Sequence, residues 1–313
     1  MASRQIMTFP RIGLVGCGNW GRFILRDLRN LGCSVSVVAR SHSSIENALS
    51  LGAERIVAHC DDLPALDGIV VAVPTSRHAD VVDSLCKRHV PIFCEKPLTN
   101  DPQRARQIVE QAGDRVFVMD KWRYHPGIEM LREIATSGEL GDVTGLRLQH
   151  IGWGNPHADA DVIWTLAPHC LSIVLEVLGA VPPPRQAMIE HLRGAAIGMV
   201  ATLGTTPAVT IEVSARSPVK RREVQMHCSH GVAWLDEAYA SNIRIARDDS
   251  TTMSIQERPI SQEMPLLREL RAFVDHVLGG PPPRSTALEG AQIVQTIYEL
   301  RQFARQAALA RAA

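Results

Sequence analysis

The feature that most constrains this sequence is a G-x-G-x-x-G pattern near its start. The pattern lies directly after the apolar run at residues 12–15 and before the amphipathic segment at residues 22–31. At a strand-turn-helix junction, such glycines turn the chain, let a pyrophosphate approach the backbone and let the helix pack closely on the sheet. An ordinary tight turn is the alternative. The residues expected to contact a dinucleotide here are Gly16, Gly18, Asn19, Trp20 and Gly21.

Short apolar runs alternate with longer amphipathic segments up to about residue 120. Runs that are buried on both faces and joined by helices are typical of a parallel, doubly wound sheet. The sequence therefore predicts an α/β fold that begins with a Rossmann domain. The predicted strands are residues 12–15, 35–39, 69–73, 91–94 and 116–119.

The pattern changes after residue 142, where strand-like segments follow one another with a single helical stretch at residues 168–178. Such a succession indicates an α+β domain with a largely antiparallel open sheet. We expect domains at 1–121 and 122–313, with closing helices at 265–278 and 287–309 that could pack on either domain. The predicted strands are residues 144–151, 188–191, 197–203, 209–214, 223–227, 233–236 and 242–246.

The end of the second predicted strand bears on the choice of cofactor. An Asp or Glu is expected there for NAD, but the chain has Arg40 and Ser41. A guanidinium can pair with a 2′-phosphate, and no carboxylate is present to repel it. The sequence favours NADP, with NAD as the alternative if Arg40 is only a solvated residue at a strand end.

Composition excludes several classes of partner. The 313 residues include 33 basic and 33 acidic ones, so nothing predicts binding to nucleic acid or to a membrane surface. The seven cysteines are scattered without a paired motif, which is typical of free thiols in the cytoplasm. We find no signal peptide or membrane span and no convincing metal-ligand spacing.

Two later segments make the sequence resemble a known family. They are P-T-S-R-H at residues 74–78 and E-K-P at residues 95–97, each at the end of a predicted strand. Together with the glycine pattern and G-E-L-G-D-V at 138–143, they resemble the Gfo/Idh/MocA oxidoreductases. The resemblance implies NAD(P)-dependent chemistry on sugars, inositols and related compounds. It also implies that Pro74, Thr75, His78, Glu95, Lys96 and Pro97 surround the cofactor.

Lys96 is the expected catalytic residue. By resemblance it binds near the reacting hydroxyl of the substrate. An ammonium group in a partly desolvated cleft beside a charged nicotinamide gives up its proton more readily, so it can exchange a proton with that hydroxyl. The alternative is a surface lysine paired with Glu95.

The helical stretch of the second domain resembles the family's D-x-x-x-H motif, with a departure. His169 is retained as a second expected catalytic residue, but Thr165 stands where the family has Asp. Either His169 acts with Lys96 alone, or Asp161 supplies the missing charge, or turnover has been lost. Trp164 and Thr165 are also expected to contact substrate.

Residues 121–126 resemble the family's substrate-facing segment before the second domain. Trp122 can stack on a sugar ring, and Arg123 and Tyr124 can bind its hydroxyl groups. A domain junction packed by aromatic residues is the alternative interpretation.

The sequence thus predicts an NAD(P)-dependent dehydrogenase or reductase acting on a carbinol or carbonyl carbon of a sugar, nucleotide sugar, cyclitol or related polar molecule. One alternative is a nucleotide-binding sensor or scaffold without turnover, and another is an imine or double-bond reductase. We also expect a homo-oligomer, a dimer or tetramer, formed through apolar faces at residues 197–203 and 208–214 on the outer side of the second sheet.

Overall fold

The computed structural model describes residues 9–155, 159–248 and 254–312. The chain divides into two compact units that do not follow the chain order strictly. The sequence predicts a boundary at residues 121 and 122 and leaves open the domain on which the closing helices pack. The first unit in fact takes in a late segment as well: it consists of Met1–Thr99, Gln103–Met119 and Leu266–Leu288, and the second consists of Asn100–Pro102, Asp120–Pro265 and Glu289–Ala313.

The first unit is built on six parallel strands in the order β3-β2-β1-β4-β5-β6. This confirms the predicted doubly wound α/β sheet. The strands are β1 (Arg11–Val15), β2 (Ser34–Val38), β3 (Arg55–Val57), β4 (Gly68–Val71), β5 (Ile92–Glu95) and β6 (Val116–Met119), and the helices between them are α1 (Gly21–Asn30), α2 (His42–Ser50), α3 (His78–Cys86) and α4 (Pro102–Ala112).

The strand order reverses between β1 and β4. Ligands of open α/β sheets bind outside the carboxyl ends of the strands at such a reversal, because the connections leave in opposite directions there. The segments that follow β1, β2, β4 and β5 all emerge at this edge. They carry the glycine pattern, Arg40 and the two motifs at residues 74–78 and 95–97.

The second unit contains an eight-stranded sheet in the order β14-β13-β12-β11-β7-β10-β9-β8. β7 and β10 pair in parallel and the other neighbours pair antiparallel, which confirms the predicted, largely antiparallel sheet. In chain order the unit comprises α5 (Pro126–Ser137), β7 (Val143–Trp153), α6 (Val162–Leu178), β8 (Pro184–Leu192), β9 (Ala195–Leu203), β10 (Ala208–Ser214), β11 (Arg216–Cys228), β12 (Gly231–Leu235), β13 (Asn242–Arg247) and β14 (Ile255–Pro259).

Helices α5 and α6 cover one face of this sheet, with α6 packed on β7, β9 and β10. The apolar residues Val209, Ile211 and Val213 are buried, and they alternate along β10 with half-buried polar ones. The apolar side of β10 therefore lies against α6 within the unit. The expectation that β10 offers an apolar outer face is wrong, because its outward positions include Thr210 and Glu212.

Two helices close the chain, α7 (Pro265–Val277) and α8 (Ala287–Ala312). Helix α7 belongs to the first unit, where Leu266, Leu270 and Phe273 join its core. The ring of Phe273 stacks on Phe93 of β5 at a centroid distance of 4.9 Å. Most of α8 belongs to the second unit.

Candidate functional site

The glycine loop after β1 has little room except at its centre. Gly16 has a φ of +100°, and a Cβ there would lie 2.5 Å from the carbonyl oxygen of Ala72. A Cβ on Gly21 would collide with the carbonyl oxygen of Gly16. In contrast, a Cβ on Gly18 would meet no atom within 4 Å. The backbone at Gly18 is therefore open to a ligand, while Gly16 and Gly21 hold the strand, the loop and α1 close together.

Trp20 and Glu95 join the glycine loop to the segment after β5. The indole nitrogen of Trp20 donates to Glu95 Oε1, and the backbone N–H of Lys96 donates to Oε2 of the same carboxylate, at 3.1 Å. Glu95 is buried. Its two oxygens therefore hold the glycine loop and the E-K-P segment together.

His78 joins the segments after β4 and β5. Its Nδ1 lies 2.7 Å from the carbonyl oxygen of Pro97 and its Nε2 lies 2.9 Å from that of Val73. The side chain is 1% exposed. The imidazole is thus occupied by two backbone carbonyls and acts as a positioning residue; direct contact with a cofactor stays a prediction.

Lys96 is half-buried at the carboxyl edge of the first sheet. It follows the fully buried strand β5 and precedes Pro97, with which it forms a cis peptide bond. The neighbouring Glu95 carboxylate accepts from the backbone of Lys96. The strand and the contacts of Glu95 and His78 therefore fix the backbone on both sides of the predicted catalytic lysine.

Arg40 and Ser41 follow β2 at the same edge. Ser41 caps α2, where its hydroxyl accepts from the backbone N–H of Ser44 at 3.2 Å. Arg40 is exposed. Pro74 is exposed and Thr75 is buried in the turn after β4.

In the second unit, His169 of α6 stacks on a histidine that sequence analysis did not select. The rings of His169 and His150 of β7 lie 5.1 Å apart with an interplanar angle of 11°. Both side chains are buried. The alternation of β7 could have identified His150 as an inward residue, but its partner on α6 is 19 positions away and no short motif links the two.

Thr165 and Asp161 are engaged within their own unit. The Thr165 hydroxyl lies 3.0 Å from the backbone oxygen of Asp161 and 3.2 Å from Asn155 Oδ1, so its single hydrogen has an acceptor on either side. One Asp161 oxygen caps α6 by accepting from Ile163 and Trp164, and the other pairs with Arg301 at 2.7 Å. Asp161 therefore has a structural function that accounts for both of its oxygens.

The Arg123 guanidinium takes part in a buried ionic network. Its Nε lies 2.8 Å from Glu176 Oε2 and its Nη1 lies 3.0 Å from Glu289. Arg132 pairs with the other oxygen of Glu176 at 2.9 Å. Because the guanidinium already neutralises two carboxylates, these contacts favour a structural function. Glu176 was missed because it lies 53 residues from Arg123 in the chain.

The aromatic residues expected to contact substrate are buried in the second unit. Trp122 stacks on His125 with a centroid distance of 5.0 Å and presents its edge to His150. Tyr124 and Trp164 are also buried. These contacts accord with the alternative of a packed aromatic cluster, and substrate binding by the three residues stays a prediction.

The cofactor fits the first unit by the chemistry of its donors. Gly18 leaves open space at the start of α1, where backbone N–H groups point out of the helix, and this arrangement suits a pyrophosphate.

None of the described helices is long and apolar enough to cross a membrane. Within residues 9–155, 159–248 and 254–312, no three histidine, cysteine or carboxylate side chains are grouped to hold a metal ion.

Comparison with known proteins agrees with this geometry. The sequence model of the Gfo/Idh/MocA oxidoreductases, a family with an NAD-binding Rossmann fold, matches residues 10–118. These residues belong to the Gfo/Idh/MocA family. The resemblance read from the motifs is thereby confirmed for the first unit, and the chain carries an NAD(P)-binding domain of the Gfo/Idh/MocA type.

One relative with a known activity matches part of the chain. The inositol 2-dehydrogenase of Corynebacterium glutamicum (strain R) is 31% identical over 151 residues. This match spans 45% of the chain and 45% of that relative, so the two are matched over a little less than half their lengths.

Two solved structures resemble the chain over nearly its whole length. UDP-N-acetylglucosamine 3-dehydrogenase from Acidithiobacillus ferrooxidans superposes with a TM-score of 0.81 at 21% identity, covering 94% of this chain and 97% of that one. KijD10, a 3-ketoreductase from Actinomadura kijaniata in complex with TDP-benzene and NADP, gives 0.82 at 17% identity and covers 95% and 98%. At such identities the likeness shows a shared fold.

Proposed function

We propose that this chain is an NADP-dependent oxidoreductase that acts on a carbinol or carbonyl carbon of a sugar, nucleotide sugar or cyclitol. One observation carries the proposal. A half-buried lysine, Lys96, lies at the same sheet edge as the open glycine loop, and the hydrogen bonds of Glu95 and His78 fix the backbone around it. A half-buried lysine whose backbone is held in this way is better suited to proton exchange with a substrate than to an ion pair on the surface.

The residues of the first unit have separate functions in the proposed reaction. When bound, the nicotinamide supplies or accepts a hydride. The glycine loop holds the pyrophosphate, and Lys96 Nζ takes the hydroxyl proton during oxidation or returns it during reduction. Glu95 and His78 keep the Lys96 backbone in place.

The residues of the second unit are proposed to bind substrate. His169 presents an imidazole on α6, and its stacking on His150 limits how far its ring can turn. Trp164, Thr165, Trp122 and Tyr124 remain candidates for contacts with the substrate. The substrate classes are supported by the relatives named for inositol, a UDP-sugar and a TDP ligand.

Replacing Lys96 tests the chemistry. We expect Lys96→Ala to bind NADPH as the unmodified protein does and to lose about a hundredfold or more in turnover, because a general acid-base group contributes roughly 10² to 10⁴. The measurement is the absorbance of the reduced nicotinamide with a panel of polyols, sugars, nucleotide sugars and their keto forms. Lys87→Ala, at an exposed lysine paired with Asp61, is the matched control. Wild-type turnover in Lys96→Ala would remove Lys96 as the proton-exchanging group.

The cofactor preference is tested without knowledge of the substrate. If Arg40 and Ser41 hold the 2′-phosphate, Arg40→Ala should weaken NADPH binding by roughly tenfold to a hundredfold and leave NADH binding almost unchanged. The preference for NADPH should decrease as salt rises, since part of the interaction is charge pairing. Calorimetric titration with both cofactors measures this. Equal affinity for the two, or tighter NADH binding by the unmodified protein, contradicts the proposal.

A second candidate function is a nucleotide-binding sensor or scaffold that has lost turnover. The observation in its favour is Thr165, whose hydroxyl is engaged by Asp161 and Asn155 where the family has a carboxylate. The same substrate panel distinguishes the candidates. Any substrate-dependent oxidation or reduction of the nicotinamide rejects the sensor, whereas tight cofactor binding without turnover supports it.

A further inference from the structure

A second arginine lies near Arg40 at the cofactor edge of the first sheet. Arg77 ends the short helical turn Thr75–Arg77 that follows β4. Arg40 follows β2, and β2 and β4 lie on either side of β1. The carboxyl ends of these two strands are therefore separated by two strand spacings, about 10 Å. Two long side chains can span that gap, so a single phosphate can contact both.

The guanidiniums of Arg40 and Arg77 both act electrostatically on one side chain, the Cys60 thiol. Burial and the charge of the neighbouring Asp61 raise the pKa of this thiol, and the positive charges of Arg88, Arg77 and Arg40 act in the opposite direction. Cys60 begins the segment that follows β3, the strand next to β2. Arg77 from the turn after β4 and Arg40 from the end of β2 therefore both lie close enough to act on one side chain near the edge where a Rossmann domain binds the adenosine ribose.

The three arginines are not equally available to a ligand. The Arg88 guanidinium donates to the carbonyl oxygens of Cys60, at 2.6 Å, and of Leu63, at 3.1 Å, so it holds the chain after β3. The side chains of Arg40 and Arg77 are exposed, and neither has a hydrogen bond or ion pair within the described parts of the chain. The nearby Asp61 is paired with Lys87 at 2.9 Å.

Two neighbouring cations without a carboxylate repel each other until an anion binds between them. A phosphomonoester carries close to two negative charges near neutral pH and offers three acceptor oxygens, which suits two guanidiniums. The 2′-hydroxyl of NAD offers no such charge. The pair therefore matches a phosphorylated ribose better than an unphosphorylated one.

We propose that Arg77 is a second specificity-determining residue for the cofactor, and that its guanidinium and that of Arg40 together bind the 2′-phosphate of NADP. This inference rests on the proposed preference for NADP. It adds a residue from the turn after β4 to a recognition site that the sequence predicted only at the end of β2.

The test uses the full chain and two small probes, 2′,5′-ADP and 5′-AMP, which differ only in the 2′-phosphate. We expect Arg77→Ala to weaken 2′,5′-ADP binding by roughly tenfold or more in calorimetry and to leave 5′-AMP binding within about twofold. Arg77→Lys should recover part of the loss, since it keeps the charge but not the planar fork. Arg40→Ala with Arg77→Ala should lose more than either single variant.

Arg55→Ala is the matched control. Arg55 is an exposed arginine of the same unit, at the amino end of β3 and hence at the opposite edge of the sheet. We expect it to bind both probes as the unmodified protein does. Thermal unfolding of each variant checks the fold, which Arg77→Ala should preserve because the Arg77 side chain has no partner in the described chain.

The possible outcomes distinguish a failure of the Arg77 assignment from a failure of the proposed NADP preference. If the unmodified protein binds 2′,5′-ADP no more tightly than 5′-AMP, the NADP preference fails and the inference fails with it. If the preference exists, depends on Arg40 and survives Arg77→Ala, only the inference fails. Equal weakening of both probes by Arg77→Ala also overturns it, since Arg77 would then support the adenosine rather than the phosphate.

Discussion

At the scale of single residues, His78 shows how a residue can belong to a cofactor motif without facing the cofactor. Both of its ring nitrogens face backbone carbonyls, those of Val73 and Pro97. A neutral imidazole has one N–H and donates to only one of them, whereas the charged form donates to both. The ring therefore couples the segments after β4 and β5 and supports the backbone next to Lys96.

Replacing this ring should weaken the fold and the site together. We expect His78→Phe to lower the free energy of unfolding by about 1 to 3 kcal/mol, because at least one of the two backbone carbonyl groups loses its hydrogen-bond donor. Turnover should fall as well, since the Lys96 segment is less well held. Urea unfolding and steady-state kinetics measure the two effects.

His42→Phe is the control for that variant. His42 is exposed on α2 and pairs with Glu46, so its replacement should change stability by no more than about 0.5 kcal/mol. If His78→Phe is as stable and as active as the unmodified protein, the imidazole does not position the lysine segment.

Sequence reasoning identified single residues best where the function depends on local spacing. The glycines and Lys96 were found because a turn, a strand end and a short motif specify them. The partners of Arg123 could not be found in this way, since Glu176 and Glu289 meet it only in the folded chain. Arg77 was also passed over, although it lies inside the motif at residues 74–78, because an exposed arginine has no pattern of its own.

At the scale of elements, the main difference concerns the start of α6. The sequence predicts a helix from residue 168, since proline is favoured in a first turn. The structure begins the helix at Val162 and contains Pro168 in its interior. Asp161 is the stronger start signal, because its carboxylate accepts from the backbone N–H groups of Ile163 and Trp164.

Two substitutions at Asp161 separate its cap from its charge. We expect Asp161→Ala to lower the free energy of unfolding by about 1 kcal/mol, with a further small loss from the ion pair with Arg301. Asp161→Asn keeps an oxygen for the cap and should retain most of that stability. Urea unfolding measures both variants.

The same pair of variants tests whether Asp161 replaces the charge missing at Thr165. If it serves only the fold, Asp161→Asn should keep nearly full turnover. A stable Asp161→Asn variant with turnover reduced a hundredfold would instead assign the carboxylate to the chemistry.

Three elements were missed for identifiable reasons. β3 has three residues and none of them is fully buried, so it lacks an apolar run. β14 is an edge strand in which most residues are exposed. α5 follows directly after the aromatic segment at residues 121–126, and it was absorbed into the predicted junction between the domains.

At the scale of the whole molecule, the apolar side chains of β10 are covered by α6, so they cannot form a contact between copies of the chain. On the opposite face of the sheet, Val200 of β9 and Met188 of β8 are exposed. Exposed apolar residues on an open sheet are candidate contacts between copies of a chain. We therefore expect at least a dimer at micromolar concentration, measured by light scattering.

Val200→Arg should reduce that mass, because a charge would be buried at the contact. Leu49→Arg, at an exposed position of α2 in the first unit, is the matched control and should leave the mass unchanged. A monomeric mass for the unmodified protein contradicts the expected assembly. A dimer that tolerates Val200→Arg places the contact elsewhere.

The first unit includes a late segment of the chain, so its parts are synthesised at different times. Its six strands are complete by Met119, but α7 emerges from the ribosome some 150 residues later. Until then Phe93 lacks the ring of Phe273. The surface at Gly68 also stays uncovered, because α7 packs against it so closely that a Cβ on Gly68 would lie 2.7 Å from Val277. A nascent chain must therefore carry an unfinished nucleotide domain through the synthesis of nearly all of the second unit, which makes that interval the one in which chaperones would be needed most.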